Sequence, residues 1–533
     1  MATLIALIVS LFLLVSTIPA QSAVFNIPSG NVTALIAAIN AANTNGEENT
    51  INLEPGTYTL TAIDNGVIDS NSNGLPVITG MVNINGNDAP STVIERDPAA
   101  PLFRIFSIAS GGKLSVNGVT VRRGGGFRTQ LAGGFNNAGS LAVTRSIIEQ
   151  IDCCDLGDAT AIRNTGTLNL SQTLIRDNES LHGATILNSG TMTIASSSIT
   201  FNRGDNPIIE NSSSAEATIQ DSTVSDNSGH NAAVTNEGTM TIINSTVANN
   251  LAFRDFPAGI ENFGTLKVFN STISGNRPEL THPDGPGGVF NRPGASLELE
   301  NSILAGNLAG PGFGPDCLGL ITSLGNNIIG DPTDCDINLL PSDLTGDPGL
   351  GDFTDNGTPG NGHFPLLETS PAINAGNNEL CLSNPVFHTD QIGNPRVGAC
   401  DIGAIEFEPV PVLTVLLNVR PRSTENRINP KSNGLIRVAI LSTGDFDPGS
   451  INQASLEFGP SQALAQGKGQ LKDVNGDGQA DLVLHFRTQD SGIQCGDTSV
   501  SITGQTVNGN PIKGSDAITT VGCRSVPGNG KKK

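Results

Sequence analysis

With 533 residues, the chain is long enough for two to four compact domains or for one elongated repeat array. It holds 63 glycines, one tyrosine and no tryptophan, and 15% of it is charged, which excludes helical bundles and layered α/β enzymes rich in Leu, Lys and Glu. A net charge of −22 repels nucleic acid and anionic lipid, and suits solubility, divalent-cation binding or simply an acidic extracellular surface.

The first 23 residues read as a secretory signal peptide: Leu4–Ile18 is almost wholly apolar, and Pro19-Ala20-Gln21-Ser22-Ala23 supplies small residues for cleavage. That apolar run is short for a membrane span, and no later segment reads as one. Export therefore sets the expected compartment, secreted or at the cell surface. Eight cysteines agree with it, as Cys317/Cys335, Cys381/Cys400 and Cys495/Cys523 close loops of sensible size for disulfides. Cys153-Cys154 leaves a vicinal disulfide, free thiols and cross-pairing all open.

Thr33–Asn43 has helical spacing and suits a cap over the open end of a solenoid. Thr50–Leu60 then reads as strand, Pro-Gly turn and strand. Further coils pass through Val77–Asn85, Thr92–Glu95, Arg104–Ser107 and Lys113–Val121. From there a repeat is explicit. Asn164-Thr-Gly-Thr-Leu-Asn-Leu runs to Asn178, and equivalents run from Asn188 to Asn202, Asn236 to Asn250 and Asn262 to Asn276. Asn211 to Asn227 and Asn291 to Asn307 are looser copies, and Asn137 opens an earlier one. The starting Asn are 27, 24, 23, 25, 26 and 29 residues apart, one short-stranded coil per repeat and roughly ten coils between residues 50 and 330. A leucine-rich repeat shares the period but needs more Leu and a helical back, whereas these backs are rich in Gly, Pro and Asp.

In such a coil, inward Leu, Val, Ile and Met stack on their counterparts above and below. Asn178, Asn202, Asn227, Asn250, Asn276 and Asn307 are expected to take left-handed turns and to hydrogen-bond as a ladder about 4.8 Å apart. The fold class is all-β: a right-handed parallel β-helix over residues 24–408 with an N-terminal capping helix. The helix, the INLEPGTYTL segment and the Asn-Gly coils resemble the pectate-lyase-like β-helix superfold. Ser370–Gly376, Asp390-Gln391, Arg396 and Cys400–Glu406 resemble the closing region of bacterial surface proteins with a choice-of-anchor Q domain, departing from it in Ile392, where Arg is common.

After a Pro-rich linker at 409–412, residues 413–524 alternate as strands (Leu413–Val419, Leu435–Leu441, Leu482–Phe486, Thr498–Ile502) and suggest a small β-sandwich, with 525–533 a basic tail. Within the module, Asp473, Asn475, Asp477, the Gln479 carbonyl and Asp481 follow the spacing of an oxygen-rich calcium loop, with Gly478 at the sixth position. Leu484 stands at the twelfth position, where an EF-hand needs Glu, so a helix-loop-helix is excluded. Calcium is the expected cofactor; a metal-free polar turn is the alternative.

Six residues before successive starting Asn stand Asp158, His182, Asp205, His230 and Phe256. In register, the first four would form a polar row one coil apart, able to bind a metal or a sugar, or else they are solvated loop residues. Asp152, Asp155, Asp177, Asp226 and Asp255 show no partnered Arg or Lys column. Aromatic side chains for sugar stacking are scarce, and no Ser-His-Asp, phosphate-loop or dinucleotide pattern occurs. The sequence points to a structural, adhesion or binding β-helix whose partner is an extracellular glycan or a host or cell-surface molecule. The alternative is a polysaccharide lyase or glycoside hydrolase acting on an acidic glycan.

Overall fold

The computed structural model describes residues 22–66, 72–126, 132–153, 159–180, 182–253, 257–279, 285–383, 386, 388–409 and 412–523. Residues 1–21 of the expected signal peptide, the expected tail at 525–533, Asp155, Asp158, Asp255, Phe256, and Cys154 with the side chain of Cys153 lie outside the described residues. The chain divides into two compact units, Met1–Phe407 and Glu408–Lys533.

The first unit is a parallel β-solenoid. Its coils begin beneath a helix, Val32–Ala42, whose N-terminus is capped by the Asn31 side chain accepting from the Ala34 amide. Leu35, Ala38, Ile39 and Ala42 are the helix's buried face, so it closes the first coil with apolar surface. Beyond it the longest strands stack in strict register: Leu141, Leu168, Met192, Ala217, Met240, Leu266 and Leu297 are successive neighbours in one inward column. A second face of twelve short strands runs from Gly56–Leu60 to Leu344–Thr345, and a third face of seven two-residue strands ends at Arg277–Pro278. Every coil contributes to one continuous buried core. No single coil could bury that apolar surface by itself.

Two ladders of buried asparagine hold the coils in register. In one, the side-chain amide of Asn137 donates to Asn164, and the chain of bonds continues through Asn188, Asn211, Asn236 and Asn262 to Asn291 at 2.7–2.8 Å per step. In the other, Asn178, Asn202, Asn227, Asn250, Asn276 and Asn307 are linked at 2.8–3.0 Å. Asp316 accepts the last amide at 2.9 Å.

One expectation is corrected: these second-ladder Asn do not take the left-handed turn. The preceding residue does, as in Asp177 (φ 52°), Phe201 (56°), Asp226 (55°) and Asn249 (55°). Turning the backbone one residue early points the Asn side chain inward, where it can pair above and below. The Gly of each Asn-x-Gly turn is required by stacking, since a Cβ at Gly166 would sit 2.0 Å from the Gly139 carbonyl oxygen.

After the last coils, residues 346–407 return along the second face as a strap. The strap contains the Cys381–Cys400 disulfide; Cys317–Cys335 lies in the final coils. The second unit has two main sheets and a parallel two-stranded pair, Arg427–Ile428 with Thr519–Thr520. Leu413–Thr414, Pro511–Ala517, Ser499–Thr506, Ile451–Phe458 and Ala463–Leu464 form one, and Leu417–Val419, Leu435–Ile440, Asp481–Arg487 and Gln470–Lys472 the other. The single strand expected at 413–419 is thus split between sheets. Phe458 and Phe486, one from each sheet, stack at 4.8 Å in a shared core, and Cys495–Cys523 is the unit's disulfide.

The ladder's stability contribution is testable at Asn227. Its oxygen accepts from the Asn202 backbone and side-chain amides, and its own amide donates to the Ile199 carbonyl and to Asn250. Asn227→Ala strands several of these buried groups, each costing about 1–3 kcal/mol. Denaturant unfolding should show a loss of roughly 2–5 kcal/mol, against less than about 0.5 for Ser212→Ala on the surface.

Candidate functional site

The variable turns leading out of the third face bring His182, Asp205 and His230 together as the register of the coils requires. The paired strands Glu179–Ser180, Arg203–Gly204 and Ser228–Gly229 precede them on consecutive coils. His230 Nδ1 lies 3.2 Å from Asp205 Oδ1, and His182 Nδ1 lies 3.9 Å from Asp205 Oδ2. The row is accessible, with side-chain exposures of 56%, 39% and 29% in coil order. Asn206 donates to the His182 carbonyl and Asn231 to that of Asp205 at 3.2 Å, so the turns are tied to one another. Phe253 closes one end, its ring edge-on to His230 at 6.0 Å. The row offers ring nitrogens and a carboxylate to a hydroxyl-rich or charged ligand. Among the described residues, no group of three or more His, Cys, Asp or Glu is placed to hold a metal ion.

In the second unit, the expected calcium ligands share one exposed loop. Asp473 accepts from the Gly476 and Gly478 amides at 2.6 and 3.0 Å, which holds its carboxyl below the usual range. Asn475 accepts from the Asp477 amide, and Asp477 from that of Gln479. Asp481 is fully buried at the start of its strand, accepting from the amides of Ser442 and Val474. The donor chemistry suits calcium. In this conformation the carboxylates face their own amides rather than a common centre.

Two further groups stand out, the first missed in the sequence and the second read there as a closing motif without its contacts. The first is a charge column on the second face, where Glu95, Arg122, Glu149 and Arg176 are register partners. Arg122 meets Glu95 at 2.7 Å and Glu149 at 3.7 Å, and Arg176 meets Glu149 at 3.0 Å and Asp177 at 3.6 Å. The carboxylates of this column are Glu95 and Glu149; of the aspartates read as scattered, Asp177 joins it through Arg176. The column's signal is the constant step of 27 residues between members.

The second is the clasp under the strap. The buried Arg396 side chain lies 3.4 Å from Glu406 and donates to the carbonyls of Thr389, Asp401, Gly403 and Ala404 and to Asn244. Asp390 receives the amides of Ile392, Asn394 and Glu406, and Gln391 bridges Thr223 and Thr246. The closing motif read from sequence is thus a fastening device. Burial pushes the carboxyls of Asp390, Asp401 and Glu406 upward. It raises that of Asp221, which lines a polar cleft of about 240 Å³ with Asp390, to about 6.

No family model matches the chain, and no curated protein does. The likeness of the closing motif to choice-of-anchor Q regions therefore rests on those residues alone. Among solved structures, the A-module of the mannuronan C-5 epimerase AlgE6 from Azotobacter vinelandii is similar at 12% identity and a TM-score of 0.40, over 61% of this chain and 100% of its own.

Asp221 makes the clasp pH-dependent. Its folded pKa is raised, so the fold favours the neutral carboxyl; that contribution is complete below the ordinary carboxylate pKa and is lost as pH rises through about 6. Thermal melting should show stability falling as pH rises from about 4 to about 6, and levelling off above that. Asp221→Asn, which keeps a side-chain oxygen for Asn244, should flatten that slope.

Proposed function

We propose that the chain is an extracellular β-helix protein that works by binding, as an adhesion or scaffold component, through the variable-turn edge carrying His182, Asp205 and His230. The observation that carries this reading is the exposed His–Asp–His row, held at one-coil spacing by cross-turn hydrogen bonds. Three disulfides fit an oxidising compartment, and among the described residues no helix is long and apolar enough to cross a membrane. An extracellular glycan or a cell-surface molecule is the expected partner. Screening the intact chain on glycan arrays and on cells should give retained ligands. Asp205→Asn with His182→Ala and His230→Ala should lower that affinity about tenfold or more, with melting unchanged. Unaltered binding by the triple variant would sink this assignment.

One observation favours the alternative, a glycan-cleaving enzyme. Asp221, with its raised pKa, borders a cleft with a second carboxylate, as a general acid would. Reducing-sugar and unsaturated-product assays on acidic glycans separate the two readings, since turnover abolished by Asp221→Asn would replace binding with catalysis.

The C-terminal loop is proposed to take calcium structurally through Asp473, Asn475, Asp477, the Gln479 carbonyl and Asp481, the first three side chains turning from their own amides toward the ion. Calcium should raise, and chelation lower, the melting temperature of the second unit, and Asp473→Ala with Asp477→Ala should abolish the response. Asp481→Ala should destabilise with or without calcium, because it uncaps two backbone amides.

A further inference from the structure

The strap covers only part of the second face, and what it covers shows how that face is built. At the first position of successive strands, Ser198 accepts from the Gly360 amide at 2.8 Å, Thr223 donates to the Gly362 carbonyl at 2.7 Å and Thr246 to Gln391 at 2.6 Å; Thr272 accepts from the Ala404 amide at 3.1 Å. Where the same column turns apolar, at Ile303 and Ile328, it is packed beneath Leu366, Ala372 and Ile402 of the strap. At the opposite end Thr120 donates to the Ala89 carbonyl at 2.7 Å.

Between Thr120 and Ser198 the column reads Ile147 and Leu174, paired in register, half-buried, and met by no strap residue comparable to those over Ile303. They floor a groove of about 570 Å³, with Ala89 and Pro90 at one end and Thr358 and Pro359 at the other. That size lies within the roughly 300–1,000 Å³ usual for small-molecule sites. At Ile303 and Ile328 the column's apolar residues have an apolar cover, and over Ile147 and Leu174 the chain supplies no such cover among the described residues.

The rim adds a charge. Arg145, in a left-handed turn (φ 45°), donates from Nε and Nη2 to Asn117 Oδ1 at 3.1 and 3.0 Å, which orients the guanidinium and leaves Nη1 unengaged among the described residues. Asp88, the acidic group in the lining, is occupied by the Ser91 amide and by Asn87.

We infer that this groove binds a small amphiphilic carboxylate, its hydrocarbon body on Ile147 and Leu174 and its carboxylate on Arg145. The guanidinium's planar donors match a carboxylate, and the two-coil floor suits a short acyl chain. The site lies apart from the His182–Asp205–His230 row and is independent of the function proposed for it.

Calorimetry on the full chain tests the inference with octanoate, octanol (the same body without charge) and acetate (the charge without body). Octanoate should bind saturably, the other two at least about tenfold more weakly. Arg145→Gln should bring octanoate down to the level of octanol, and Leu174→Ser, which places there the residue the column carries at Ser198, should weaken it by a similar factor with melting unchanged. Absence of saturable octanoate binding, equal binding of octanol by the unaltered chain, or octanoate affinity indifferent to both substitutions would overturn it.

Discussion

The buried side-chain amide is the constraint on which this solenoid depends. An amide inside an apolar stack must have both its oxygen and its nitrogen paired, or the unmet groups cost more than one coil can offset. Asn202 meets that demand largely through the coils before and after it, Asn178 and Ile175 below and Asn227 above, with the Thr200 carbonyl of its own coil as a further acceptor. Each coil is therefore committed to the registry of its neighbours at two points. The path between the two Asn is 14 residues in four coils and 16 in two, and the larger length differences fall in the turns outside it. The left-handed residue before each second-ladder Asn follows from the same demand, and a residue as bulky as Phe201 is held there at φ 56°.

A stack of this kind has two ends and several open faces, and the chain treats them differently. The first end receives an amphipathic helix, whereas the second face receives a strap fixed by buried charge. Arg396 in the clasp is surrounded by carbonyl oxygens and Glu406, so its desolvation is offset by hydrogen bonds from a fixed frame. Glu406 is the charged partner within that frame, so losing it would leave the buried cation without its counter-charge. The strap's acidic groups are the cost of this arrangement, with carboxyls pushed upward wherever burial outweighs the amides that cap them.

The same architecture separates the surfaces available to ligands. The His–Asp–His row stands on turns whose length varies, where side chains can change without disturbing either ladder. The groove over Ile147 and Leu174 lies instead on a regular strand face, and its existence depends on where the strap stops. In the next two coils, the strap's own backbone meets the equivalent positions, Ser198 and Thr223.

Much of the solenoid is legible in the sequence because its determinants are local and periodic. The Asn spacing, the Asn-x-Gly turns and the alternating Leu-x-Leu segments each state a physical requirement that recurs every coil, and they place Asp205 beside His230 by counting alone. The charge column is equally periodic, but its step of 27 residues joins positions with no shared neighbours in sequence, so Glu95, Arg122, Glu149 and Arg176 read as scattered charges until the strands are stacked. What only the tertiary structure decides is the non-periodic part: the inward turn of each ladder Asn, the path of the strap, the burial of Asp221 and Arg396, and the groove over Ile147 and Leu174. The sequence by itself determines the coil, because a coil repeats the same short-range constraints. The strap joins residues more than 130 positions apart, such as Thr223 with Gly362 and Asn244 with Arg396, and no local pattern encodes which strand face it will cover.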